Sequence, residues 1–335
     1  MNFLDILAAV IPFFLMIGLG CITRVGGVLN SESEKSVMNL VLWLLYPCFI
    51  LWKVPGNESL QEFSVVGVSI AAGFCLTVVA FSVAWMMGWL SKVSIENGRN
   101  TFAVSAGLQN YGFIPIPLVI ALFGDQADET LGVLFVHNLG VEIALWTVGL
   151  IIISGQSKGA WKRLINGPTI AIAIGLFLNF AGSKFGFPND TESTNWILWF
   201  YSWCLGMANT AIAQLGNCAI PVSLILVGAS LAGVVQSEKW ETKWNVIWGA
   251  MAVRFAIMPI VVLSVAAAVS FSPNLQRVLV VEAAMPAAVF PVVLAKHFGG
   301  KPGVAAQIVI ATSVASLLLT PTILSVALKV FGVEV

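Results

Sequence analysis

Apolar windows of about 20 residues, the length a helix needs to cross a bilayer, recur along the whole chain. They fall near 3–23, 35–54, 63–90, 100–123, 130–154, 167–183, 206–234, 245–270, 275–297 and 304–331, with short polar stretches between them. The pattern predicts an all-α polytopic membrane protein of ten transmembrane helices. The first window carries Asp5 with no Lys or Arg ahead of it and runs to about Thr23. It therefore reads as a retained first helix rather than a cleaved signal peptide. The stretch NWILWFYSWCLGM (195–207) makes the seventh region too long for one straight span. Its aromatic residues Trp196, Trp199, Phe200, Tyr201 and Trp203 suit a segment lying at the membrane interface, or else one long tilted helix.

Two of the ten windows carry their own helix breakers. Residues 110–118 read NYGFIPIPL, with Pro115 and Pro117 inside an apolar run, and residues 285–291 read MPAAVFP, with Pro286 and Pro291. An interior proline removes a backbone donor, clashes with the preceding turn and costs about 3 kcal/mol. A helix that stops within the membrane also bares N–H groups at one end and C=O groups at the other. Hydrocarbon cannot satisfy these groups, so such breaks persist only where protein, water or a ligand does. The N-terminal end of the second half-helix also favours an anion such as a carboxylate. Pro117 and Pro291 suit the first turns of such half-helices, and Asn110 offers donors and an acceptor beside the first break.

Composition agrees with this pattern. The 335 residues are 59% hydrophobic and 10% charged, with a mean hydropathy of +0.94, against roughly 25% charged in a soluble domain. The net charge is +0, without a basic run for nucleic acid. Cys21, Cys48, Cys75, Cys204 and Cys218 lie in apolar segments without metal-ligand spacing and read as small buried hydrophobes. No metal or other cofactor is expected. Trp52, Trp89, Trp161, Trp240 and Trp244 sit near predicted span ends, as interface anchors do.

Lys and Arg are distributed unevenly between alternate loops. Eleven of the 16 fall on one side and four (Lys53, Lys184, Arg277, Lys329) on the other, with Arg254 inside a span. The positive-inside rule then puts both termini outside and the loop at 155–166 in the cytoplasm. The resulting division is a first five-helix repeat (1–154), a connecting loop (155–166) and a second repeat (167–335) of opposite orientation. Pro47 and Pro117 are 70 residues apart, as are Pro221 and Pro291. Broken segments at matching positions of two inverted halves point to a transporter binding site.

The second break, EAAMPAAVFPVVLAKHFGG (282–300), resembles the corresponding stretch of the auxin efflux carrier family, and GLQNYGFIPIPL (107–118) resembles that family's first crossover. RFAIMP (254–259) and LGNCAIPVSLILVGASLAG (215–233) are similar to its eighth and seventh helices. The resemblance implies a scaffold of helices 1, 2, 6 and 7 and a transport domain of helices 3–5 and 8–10, with broken helices 4 and 9 crossing. It also implies an organic anion held at the crossing, elevator-like movement and a homodimer. Carried over, the substrate-binding set is Asn110, Tyr111, Gly112, Pro115 or Pro117, Pro286, Ala287, Ala288 and Pro291. The second crossover asparagine of the family is absent here, with Phe113 and Ile114 intervening. The short loop at 155–166 argues against auxin itself as the substrate.

Ionisable residues inside spans are costly, roughly 2.5–3.5 kcal/mol at a helix centre, and call for a partner or a function. Glu142 lies deep in span five, following His137 and Asn138, and Glu282 lies one turn before Pro286. Either glutamate could carry a coupling proton or ion. Arg254 could instead pair with one of them, and His297 reads as interfacial. The expected function is therefore secondary transport of a small mono- or dicarboxylate across a bacterial inner membrane. The alternatives are a sodium-coupled symporter of the bile-acid type or a membrane ligand sensor. An enzyme is not expected, since HExxH, GxSxG and paired-aspartate motifs are all missing.

Overall fold

The computed structural model describes residues 3–155, 160–181, 196–237 and 242–332. The side chains of Trp161, Cys204, Trp240 and the aromatic residues between 196 and 203 lie outside the described set, as do Lys158, Lys184 and Lys239. Among the described residues every regular element is helical. The sixteen α-helices run α1 Phe3–Val25, α2 Ser31–Leu40, α3 Tyr46–Lys53, α4 Phe63–Leu90, α5 Arg99–Gly107, α6 Pro115–Phe123, α7 Ala127–Ala144 and α8 Leu150–Ser154. They continue with α9 Ala160–Arg163, α10 Gly167–Phe180, α11 Trp196–Ser237, α12 Trp244–Ala252, α13 Met258–Ala268, α14 Pro273–Ala283, α15 Phe290–His297 and α16 Pro302–Phe331. Extended backbone pairs at one isolated antiparallel bridge, Gln109 with Ala287.

Seven described stretches are long and apolar enough to cross a membrane: Leu4–Val25, Ser31–Lys53, Phe63–Leu90, Pro115–Ser154, Gly206–Gln236, Trp244–Ala268 and Pro302–Phe331. The windows at 100–123 and 275–297 fall short of that length for a local reason. Their breakers divide them into the pairs α5/α6 and α14/α15, of 9 and 9 residues and of 11 and 8. The window at 167–183 gives α10, a shorter apolar helix of 14 residues. The seventh region forms one unbroken helix of 42 residues, about 63 Å long at 1.5 Å per residue.

Proline also shapes the unbroken spans. Pro47 and Pro259 each follow a π-helical turn, Val41–Leu45 and Val253–Ile257. A proline cannot donate to the carbonyl four residues back, and the wider turn accommodates the displaced ladder. Small residues then let helices approach closely. A Cβ on Gly20 would collide with the Ile225 carbonyl oxygen, and one on Gly228 would collide with that of Ile17, so α1 and α11 interlock through reciprocal glycines. The same device joins α4 to α7, where Gly73 lies against the His137 carbonyl and Gly140 against that of Ile70. In lipid, where burial of apolar surface does not drive helices together, such close backbone packing supplies the association.

The helices sort by contact into α1, α2, α3, α10 and α11 on one side and α4–α8 with α12–α16 on the other. The two sets meet where α3 packs on α7 and α1 on α6 and α16. One end of this seam is polar. Lys53 Nζ reaches Asp128 Oδ1 at 2.6 Å, Asn57 Nδ2 donates to the Asp128 carbonyl at 3.0 Å, and Ser59 donates to Glu129 at 2.9 Å.

Candidate functional site

The two breaks meet. After α5 ends at Gly107 the backbone extends through Leu108–Asn110, and after α14 it extends through 286–288. Asn110 N–H donates to the Pro286 carbonyl at 2.8 Å, and Ala288 N–H donates to the Leu108 carbonyl at 3.0 Å. Two segments far apart in the chain therefore satisfy each other's backbone groups, as the cost of leaving such groups bare requires. Helix α16 supplies two more partners. Ala287 N–H donates to Thr312 Oγ1 at 3.2 Å, and Thr320 Oγ1 donates to the Ala284 carbonyl at 2.7 Å.

Each predicted site residue has a definite position here. Asn110 is buried and its Oδ1 accepts from Ile114 N–H at 3.3 Å, holding the turn that leads into α6. Pro115 is the first residue of α6 and Pro117 the third, so both lie in its first turn. Pro291 is the second residue of α15. Pro286, Ala287 and Ala288 are buried in the bridge itself. Tyr111 is fastened through its carbonyl, which accepts from Asn138 Nδ2 at 2.6 Å. Gly112 faces the Tyr46 hydroxyl, which a Cβ would meet at 3.1 Å.

The two glutamates part company. Glu282, on the last turn of α14, is 4% exposed. Its Oε2 receives Gln109 Nε2 at 2.8 Å and lies 3.1 Å from His137 Nε2. Glu142 accepts from Asn166 Nδ2 at 2.8 Å, with Tyr111 and Trp146 in hydrogen-bonding reach of the same carboxylate. Asn166 also caps α10 by accepting from Thr169 N–H at 2.9 Å. Arg254, 2% exposed, lines a small cavity with Glu282, Gln109 and His137. The expected ion pair with a glutamate does not form: among the described residues no carboxylate oxygen lies within 4.0 Å of its guanidinium, and Nε and Nη1 have no partner. His297 is exposed at the end of α15, with Nδ1 3.0 Å from the Val293 carbonyl.

Sequence reasoning did not single out Tyr46, Gln109, Thr312 or Thr320 as site residues. Tyr46 had a signal. The chain has three tyrosines, and two of them, Tyr46 and Tyr111, stand beside the first break. Tyr46 is held edge-on by Phe113 and by Phe135, each with ring centroids 6.1 Å away.

A helical membrane protein whose two interrupted helices pair at a buried polar centre belongs among membrane transport proteins. The family described as membrane transport protein matches this chain over residues 5–162 and 157–324, and the chain belongs to that family, the auxin efflux carriers. An uncharacterized transporter of Methanocaldococcus jannaschii is 24% identical over 294 residues, covering 85% of this chain and 87% of its own. A second, from Methanothermobacter thermautotrophicus, is 23% identical over 303 residues, covering 88% and 89%.

Proposed function

We propose that the chain is a secondary transporter for a small organic anion, a mono- or dicarboxylate, bound where 108–114 and 284–289 pair. The observation that carries this reading is the mutual bridging of the two breaks. Each break leads into a half-helix, α6 or α15, and the side-chain hydrogen bond of Asn110 uses Oδ1 alone. The Nδ2 group is then the donor for a carboxylate, assisted by helix-end dipoles. Proline at 115 and at 291 favours these helix starts without losing a needed donor.

In this reading the membrane is crossed ten times, with α5/α6 and α14/α15 each counting as one broken span. The halves are inverted repeats. The two family matches, 5–162 and 157–324, overlap within the loop that divides these halves. The set α4–α8 with α12–α16 slides as a transport domain against α1–α3, α10 and α11. Both termini lie outside a bacterial inner membrane, and the carrier pairs as a homodimer.

Thermal unfolding of the purified protein in a panel of mono- and dicarboxylates, with and without sodium, tests the site. A bound anion stabilises by mass action, about 2.7 kcal/mol at a hundredfold excess over Kd. Asn110→Ala is expected to abolish most of that ligand-linked stabilisation and counterflow in proteoliposomes. Unchanged counterflow by Asn110→Ala would remove the assignment.

A further inference from the structure

Successive side chains of an extended segment point to opposite faces, and Gln109 and Asn110 do so here. The face away from Asn110 holds a cavity of about 10 Å³, on the order of one water site. Four polar side chains line it, Gln109, His137, Arg254 and Glu282, with apolar walls from α4, α13 and α14. All four are at least nine-tenths buried, and Glu282 Oε1, His137 Nδ1, Arg254 Nε and Arg254 Nη1 have no partner. Arg254 sits in the π-helical turn Val253–Ile257, a distortion frequent at functional sites.

Charge balance gives this cluster a purpose. A buried guanidinium needs compensating negative charge, and Glu282 is the carboxylate in its cavity. Among the described residues, the other charged or titratable group facing Glu282 is His137 on α7, with the phenols of Tyr46 and Tyr111 acting at longer range. Helices α6 and α13 contribute no titratable side chain. Helix α4 has only Cys75, α5 only Arg99 at its start and α16 only Lys329 near its end. An anion arriving at the crossing adds a negative charge beside a neutral Arg254–Glu282 couple. One proton on the Glu282 carboxylate restores neutrality, leaving Arg254 to balance the anion.

We infer that Glu282, His137, Gln109 and Arg254 form a proton-binding site on the far face of the crossing, loaded once for each anion bound. The inference rests on the anion reading above and makes transport of a monocarboxylate electroneutral. The proton forms an O–H bond at Glu282 and passes through His137, whose Nε2 already touches that carboxylate. Because linkage is reciprocal, the proton strengthens anion binding as much as the anion strengthens proton binding.

The test mixes the purified full chain with acetate or succinate in weakly buffered solution. A pH-indicator dye follows proton uptake, and infrared difference spectra follow a new protonated-carboxyl band. For the wild type, about one proton is taken up per acetate, and apparent affinity rises up to about tenfold per unit fall in pH. Glu282→Gln should show neither proton uptake, nor the band, nor pH-dependent affinity. Should that variant misfold, Glu282→Gln with Arg254→Met removes both charges together and must behave in the same way. Wild-type binding without proton uptake, or uptake that survives in either variant, overturns the site. If neither probe stabilises the protein, the anion reading fails. The proton site is then judged on the unliganded chain by acidification, where a protonated-carboxyl band that is lost in Glu282→Gln sustains it, and the absence of any such band or its persistence in Glu282→Gln overturns it.

Discussion

His137 and Glu142 are five residues apart on α7, which at 100° per residue separates them by about 140° around the helix. That angle explains why one bonds Glu282 and the other Asn166. Asn138 and Glu142, four apart, share a face, and both approach Tyr111. Close packing makes equally sharp demands on the glycines. Gly140→Ala drives a methyl into the Ile70 carbonyl and to 2.8 Å from the Phe74 nitrogen, both backbone atoms that cannot swing aside. Overpacking of this kind costs about 1–3 kcal/mol or more. Thermal unfolding should show a clear loss for Gly140→Ala and almost none for Gly18→Ala, where nothing lies within 4 Å of the added carbon. The sequence revealed Asn110 and the prolines because polar and helix-breaking residues in an apolar run carry a visible cost. It could not reveal that Gln109 meets Glu282 across 173 residues, since that depends on how two helices are rotated.

At the level of elements, the short helix α10 begins at a cap with two duties. Asn166 Oδ1 accepts from Thr169 N–H, while Nδ2 donates to Glu142 on α7. Losing a cap costs about 1 kcal/mol. Asn166→Asp keeps an accepting oxygen for the cap but sets one carboxylate against another. Its destabilisation should therefore exceed that of a lost cap alone, and adding Glu142→Gln should relieve it because the new amide can donate to the carboxylate introduced at position 166. A double-mutant cycle read by thermal unfolding is expected to show coupling of about 1 kcal/mol. Additive losses would mean that the two side chains do not act together. The helix boundaries themselves were largely readable, because apolar length, proline and capping residues are local. The continuous course of α11 through 196–207 was not, since an interfacial segment and a long helix have the same hydropathy.

Across the whole molecule, the seam between the two sets of helices decides whether one can move against the other. Its polar end includes Lys53 and Asp128, with the lysine side chain 10% and the aspartate 66% exposed. With its aspartate open to solvent, the pair contributes about 0–1 kcal/mol. The reversal Lys53→Asp should therefore change counterflow by at most about fivefold, and adding Asp128→Lys should restore it. A loss far beyond that range, unrepaired by the second change, would show that the lysine serves something other than the seam. Membership of the auxin efflux carrier family and the helical, membrane-spanning character of the chain agree with what the hydropathy pattern and the crossover motifs implied.

The sequence alone determined the membrane class, the positions of the breaks and the family, because these follow from apolar length, composition and local breakers. Tertiary structure decided which groups share a site. It brought the breaks together as an antiparallel bridge, set Arg254 beside Glu282 without an ion pair, and turned Glu142 toward Asn166. Those outcomes depend on helix rotation and on close approach through glycine, which no single segment encodes.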